Sequence, residues 1–274
     1  MRRDLERLLG RRRIVAAEVL DRKVVAGDPA ALVRGLAGRR VREFGRLGKV
    51  LLLTLDDGGV LLLHPRMTGR LVALTPAQSL TAHARLVLSL SGGRRIVFDD
   101  TRRFGRVEYC PPGATEAQRL TCRLGPDALD CETAVVAVAL RRRRVPLKAF
   151  LLDQTVVAGV GNIYASEILH HCGLHPLTPA STLRPAEVER LVVTTREVLA
   201  EGVAYRGTTI ADYRTLKGEA GGYQHRLQVY GRAGQPCLRE GCAGVIERSV
   251  IAGRSTFHCP RCQRTGCRRR ATAR

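Results

Sequence analysis

The spacing of apolar residues changes once along this chain, near residues 111–126, and that change predicts two differently built halves. Upstream, from 13 to about 110, short β-rich runs alternate with Gly or Asp turns. Residues 50–55, the turn Asp56-Asp57-Gly58-Gly59 and residues 60–63 spell one hairpin. Residues 85–90, Ser91-Gly92-Gly93 and residues 94–98 spell a second. A short helix over 2–9 precedes them, with Leu5, Leu8 and Leu9 on one face. Pro111-Pro112-Gly113 and the stretch to Pro126 read as a connection. Beyond it the period becomes helical, over 134–144, 147–153, 163–172 and 185–202. In the last of these Val188, Leu191, Val192, Thr195, Val198 and Leu199 form one stripe, with Ser181 or Thr182 available as a cap. The pattern predicts an α+β multidomain chain: a β-sandwich over 1–112, a helical domain over 127–222 and a small hairpin unit over 231–266. A disordered basic tail, 267–274, is expected to follow.

The charge of the chain then selects the kind of partner. Among 274 residues, Lys+Arg is 46 against 25 Asp+Glu, a formal net charge of +21. Lysine occurs only at positions 23, 49, 148 and 217, so nearly all of this charge is guanidinium. At 45% hydrophobic residues the chain folds and carries the charge on a surface, which excludes a disordered basic tail as the whole answer. No apolar run approaches the roughly 18 residues of a membrane-spanning helix. Asp4, Glu6 and Glu18 argue against a transit peptide at the Arg-rich start. These features predict a soluble, cytoplasmic nucleic-acid binder that needs no membrane, most simply a monomer.

Nine cysteines add a metal site. Cys110, Cys122, Cys131 and Cys172 are scattered, whereas Cys237-x4-Cys242-x16-Cys259-x2-Cys262 forms two knuckles separated by enough chain for a hairpin. Residues 245–251 and 255–258 supply its strands and Ala252-Gly253 its turn. Four thiolates close a tetrahedral shell with no open position, so the predicted cofactor is one structural Zn2+. A unit this small cannot bury a core of its own, and metal binding would supply its folding free energy. Two disulfides or free thiols are the competing reading, which a reducing compartment disfavours. Cys267 is left over.

The stretch 153–164 carries more chemical information than any other. Two helices flank a turn with glycines at 159 and 161, and Asn162 stands where an N-cap belongs. Backbone N–H groups at such a helix start attract phosphate, with the basic run 141–144 just upstream. Gly159-Val160-Gly161-Asn162-Ile163-Tyr164-Ala165-Ser166-Glu167 closely resembles the helix–two-turn–helix of the formamidopyrimidine-DNA glycosylases. The resemblance runs from residue 2 to 264. It includes 38–55, His64-x2-Met67-x-Gly69, Asp100-x-Arg102-Arg103-Phe104-Gly105, Leu227-Gln228-Val229-Tyr230-Gly231 and the cysteine hairpin.

That resemblance implies a base-excision-repair enzyme acting on duplex DNA. Such enzymes remove oxidised purines, chiefly 8-oxoguanine and formamidopyrimidines, and cut the strand by β,δ-elimination. The damaged nucleotide must leave the stack before protein groups reach its sugar. Met67, Arg102 and Phe104 match the residues that fill the vacated gap, although Met67 or Phe104 taken alone reads equally as a core residue. The trio favours the purine-lesion branch over the related endonuclease VIII branch. Lys49 matches the family lysine near the lesion phosphate and the elimination chemistry. His83, Arg143, Lys148 and Asn162 match DNA contacts. Arg254 matches the zinc-finger arginine that grips phosphate and assists the second elimination. Where the family reads His-Asp-His, this chain has His83-Ala84-Arg85. Residues 214–222 match the loop that closes over the flipped base.

One departure concerns the chemistry. The family's mature chain opens Pro-Glu-Leu-Pro-Glu-Val-Glu, supplying the amine nucleophile and the general acid, whereas Met1-Arg2-Arg3-Asp4 opens within the helix that should follow. About eight residues are expected to be missing from the written start. A secondary expectation is a lesion-DNA-binding protein impaired in catalysis by their absence. A structural RNA-binding role is opposed by the cysteine hairpin and the wedge trio.

Overall fold

The computed structural model describes residues 1–10, 12–114, 123–210, 213–216 and 218–264. The expected basic tail 267–274, Cys122 and Cys267 lie outside them. The chain forms two compact units: Met1–Arg123 with Tyr205–Gln224, and Leu124–Ala204 with the residues from His225 on. No helix among the described residues is long and apolar enough to cross a membrane.

The first unit is the expected β-sandwich. Its strands are β1 (Ile14–Val19), β2 (Val25–Ala26), β3 (Val41–Leu47), β4 (Val50–Leu55), β5 (Val60–His64), β6 (Gly69–Leu74), β7 (Ala84–Leu90), β8 (Arg95–Asp100) and β9 (Arg106–Cys110). They build one sheet in the order β1-β7-β8-β6 and another in the order β2-β9-β5-β4-β3. Both predicted hairpins are present, with Leu52 opposite Leu62 and Val87 opposite Val97. The first turns where it should because the Asp57 carboxylate accepts from the Gly59 N–H at 2.9 Å and Gly58 takes φ +87°. Alternation buries Leu51, Leu53 and Leu55 between the sheets.

Two helices join this unit, α1 (Arg2–Leu9) and α2 (Pro29–Leu36). Leu5 and Leu9 of α1 sit among Leu53, Leu63, Leu71, Leu86, Leu88, Ile96 and Phe98. Burying each leucine contributes about 1.5–3 kcal/mol. The helical domain expected over 127–222 stops short of that span, because Tyr205–Gln224 packs with the sandwich. Leu216 explains the difference: its side chain is buried in the sandwich core and its carbonyl accepts from the Ala73 N–H at 3.0 Å.

The second unit holds α3 (Thr133–Arg141), α4 (Leu147–Leu152), α5 (Asn162–Cys172), α6 (Pro185–Ala204) and the hairpin β10 (Glu247–Ile251)–β11 (Arg254–His258). The stripe predicted on α6 faces inward, with Leu191, Val192 and Thr195 beside Val136, Phe150 and Leu151. Its cap differs from the expected one. Thr182 donates its hydroxyl to the Pro179 carbonyl, and Glu187 reaches back to accept from the Arg184 N–H at 2.8 Å. The helix expected over 134–144 ends at Arg141, with Arg142 as its C-cap. Gly202, inside α6, makes room for Tyr164: a Cβ there would lie 2.4 Å from its hydroxyl. The Ala252-Gly253 turn has φ +50° and +68°, the two left-handed residues a tight hairpin turn requires.

Candidate functional site

One buried carboxylate organises the exposed corner of the sandwich. Asp100 ends β8 opposite Gly69, the first residue of β6, and is fully buried. Its carboxylate accepts from the Thr68 hydroxyl at 2.5 Å, the Arg102 N–H at 3.2 Å and the Gly105 N–H at 2.7 Å. It thereby fixes both the turn carrying Met67 and the loop carrying Arg102 and Phe104. At Gly105 a Cβ would come within 2.4 Å of the Phe98 ring, so only glycine admits this loop. Arg66 and Arg103, beside Met67 and between Arg102 and Phe104, take φ +57° and +59°. Non-glycine residues held in that region carry strain, which surrounding structure must over-determine.

The side chains so held point outward. Met67 is 59% exposed and Phe104 49%, which rules out the reading of either as a core residue. The Arg102 guanidinium carbon stands 4.6 Å from the centre of the Phe104 ring, a cation–π arrangement. His83 joins the corner through its backbone, its carbonyl accepting from the Asp100 N–H at 3.0 Å while its imidazole is exposed.

Lys49 lies exposed in the β3–β4 turn, after Gly48 at φ +55°. Sequence reasoning assigned no role to His64, at the end of β5, although it opens the His64-x2-Met67 motif. Its Nδ1 accepts from the Arg66 N–H at 3.0 Å. Burial, then the charges of Arg66 and Lys49, lower its pKa to about 4, so it is neutral at pH 7. Lys49, His64 and Arg66 therefore share one electrostatic neighbourhood, and an arriving anion would find a net positive field there.

In the second unit the turn between α4 and α5 is stapled by two side chains that sequence reasoning gave no role. Gln154 donates to the carbonyls of Leu152 and Val160 and accepts from the Gly159 N–H. Asp153 accepts from the Thr155 N–H and hydroxyl and pairs with Arg143. Asn162 is not the N-cap expected of it: Gly161 caps α5, and Asn162 already has helical backbone. Its amide instead donates to the Ser255 carbonyl at 2.9 Å on the hairpin, next to the exposed Arg254.

Lys148, expected among the DNA contacts, has a fully buried side chain, its Nζ donating to the Asn162 carbonyl at 2.8 Å and to Ser166 Oγ at 2.6 Å. Burial pushes its pKa down to about 7, against the opposing pull of Glu167. The Glu167 carboxylate, equally buried, accepts from the N–H groups of Gln228, Val229 and Tyr230 at 2.8–3.1 Å. That triple bond set explains the Leu227–Gly231 motif as the anchor leading into the hairpin.

The four predicted metal ligands converge. The sulfurs of Cys237, Cys242, Cys259 and Cys262 all lie within 4.8 Å of one another. Cys237 and Cys262 are 3.9 Å apart, Cys242 and Cys259 3.7 Å. Tetrahedral zinc with bonds of ~2.3 Å needs sulfurs about 3.8 Å apart, so the donor set fits one structural Zn2+. Pairing these cysteines as disulfides would need sulfurs about 2.05 Å apart.

Comparison with known proteins matches each part of this architecture. Residues 1–107 match the formamidopyrimidine-DNA glycosylase N-terminal domain and 124–214 the H2TH domain of the same enzymes. Residues 234–265 match the zinc finger found in FPG and IleRS. The formamidopyrimidine-DNA glycosylase of Chloroflexus aggregans is 44% identical over 92% of this chain and 91% of its own. That of Cereibacter sphaeroides is 42% identical over 96% and 97%. Among solved structures, the Lactococcus lactis enzyme in complex with DNA containing an abasic site superposes with a TM-score of 0.89. It is 30% identical and covers 96% of this chain and 97% of that one. The chain belongs to the formamidopyrimidine-DNA glycosylase family.

Proposed function

We propose that this chain removes oxidised purines, 8-oxoguanine and formamidopyrimidines, from duplex DNA and cuts the strand by β,δ-elimination. The observation that carries the reading is the exposed pair Met67 and Phe104 with Arg102 between the strands, all fastened by Asp100. An unbranched thioether and an aromatic ring can wedge where a nucleotide has left the stack. A guanidinium beside them can hydrogen-bond the cytosine left unpaired. Lesion-containing DNA is also what a related structure holds: the Lactococcus lactis enzyme is known in complex with Fapy-dG DNA.

The remaining cations serve the backbone. Lys49 and the neutral His64 face the phosphate at the lesion, where Lys49 also serves the elimination chemistry, and His83 contacts DNA near the same corner. Arg143 and the helix start at Asn162 hold phosphates on the second unit. Arg254, exposed on the hairpin, grips phosphate and assists the second elimination. Lys148 acts from inside, shaping the first turn of α5. The four cysteines would hold one Zn2+ that keeps the hairpin folded and takes no part in bond breaking.

A second reading is lesion binding without chemistry. Borohydride trapping separates the two. The 274-residue chain and a chain preceded by Pro-Glu-Leu-Pro-Glu-Val-Glu are each mixed with 8-oxoguanine duplex and reductant. The glycosylase reading predicts a covalent adduct from the extended chain. Lesion-selective binding by both chains with an adduct from neither would overturn it in favour of the second.

A further inference from the structure

Besides the Asn162–Ser255 bond, the cysteine unit meets α5 at the far end of that helix through Cys237. His170, in the last turn of α5 and 3% exposed, places its Nε2 3.4 Å from the sulfur of Cys237. Its other nitrogen, Nδ1, is buried with no hydrogen-bond partner among the described residues. A neutral imidazole carries one proton, and only the Nε2 side offers an acceptor. Four thiolates around one Zn2+ leave the centre with two surplus negative charges, so the sulfur is an acceptor looking for a donor. A lone pair aimed at that sulfur would repel it. A donor bonds it.

Arg239 acts from the opposite direction. It sits in the four-residue gap between Cys237 and Cys242, and its guanidinium donates to the carbonyls of His170 and His171. A cation there also suits the negative end of the helix. The wide gap in the first knuckle thus has a structural reason: it lets the knuckle grip the helix that His170 comes from. His170 itself lies outside the mutually close four-sulfur set, which already completes a tetrahedral shell.

We propose that His170 is an outer-sphere positioning residue of the zinc centre, donating its Nε2–H to the Cys237 thiolate. It holds the ligand sulfur in place and ties α5 to the metal. Nothing in this assignment depends on which lesion the enzyme removes. Outer-sphere partners of this type change metal affinity by about 10–100-fold.

The test uses the zinc-loaded full chain and two readouts. In competition with 4-(2-pyridylazo)resorcinol, His170→Phe should release zinc at about 10–100-fold lower competitor strength than wild type. His171→Ala should match wild type, and His170→Gln, which keeps an N–H in reach, should recover part of the loss. In cobalt-substituted protein, the thiolate-to-cobalt charge-transfer band should move to longer wavelength in His170→Phe, because an unbonded thiolate is easier to oxidise. Phenylalanine fills the space, and circular dichroism checks that α5 is intact. Unchanged zinc retention with an unchanged band in a folded His170→Phe would overturn the proposal. Equal zinc loss in His170→Phe and His171→Ala would do the same.

Discussion

Single residues hold the proposed lesion site in place, and Asp100 is the most consequential. Three donors converge on its buried carboxylate, and Asp100→Ala would leave the Thr68 hydroxyl and the Gly105 N–H without it, the Arg102 N–H keeping Thr68 Oγ at 3.3 Å. Each orphaned group costs about 1–3 kcal/mol, so a loss of several kcal/mol and a clear drop in thermal melting temperature are expected. Asp100→Asn, still able to accept, should fall between the two. A melting temperature for Asp100→Ala equal to wild type would contradict this role. His64 gives a finer test. Its pKa is lowered from 6.5 to about 4, first by burial and then by Arg66 and Lys49. Between those values the unfolded chain binds the extra proton, so His64 costs stability as pH falls through the window. Lys49→Gln should raise the His64 pKa part-way towards 6.5 while burial keeps it depressed, as read from the imidazole resonances by NMR titration. An unshifted His64 would show that Lys49 exerts no field there.

At the scale of elements, the turn joining α4 to α5 is set from within rather than by its surface charge. Lys148 bonds the first turn of α5, and burial lowers its pKa from 10.5 to about 7. Between those values the unfolded chain binds more protons than the folded one, so this residue makes stability rise with pH above about 7. The melting temperature of wild type relative to Lys148→Met should therefore increase between pH 7 and 9; a flat difference would place the amine in water. This element also marks the boundary of what the sequence could tell. Helices, hairpins and the cysteine knuckles were legible because each follows from local spacing: alternation in β4, the stripe on α6, paired cysteines around a turn. Asp100, Gln154 and Glu167 were not, because their partners, backbone N–H groups and carbonyls and the Thr68 hydroxyl, are brought within reach only by the folded chain. The burial of Lys148 was hidden by the basic run beside it, and Asn162 was misread as a cap because the glycine before it takes that position. His64 stood within a recognised motif, yet its neutral state depends on burial that spacing alone does not reveal.

Across the whole molecule, the net charge of +21 is carried almost entirely by arginine on a chain with ordered cores in both units. Phosphate neutralisation releases counterions, with a log–log salt slope of about −0.9 for each phosphate on duplex DNA. Lys49, Arg143 and Arg254 together predict a slope steeper than about −2.7, and Arg254→Ala should flatten it by about 0.9. A salt-insensitive affinity would refute the proposed DNA contacts in both units. The central claim, however, is that Met67, Arg102 and Phe104 replace an oxidised purine turned out of the duplex. Single-turnover release of 8-oxoguanine opposite cytosine and opposite adenine tests it most directly, using a chain that carries the N-terminal proline with and without Arg102→Ala. The account predicts that wild type favours cytosine and that Arg102→Ala loses about 1–3 kcal/mol of that preference, roughly 5–150-fold. Equal discrimination by the two proteins would contradict it.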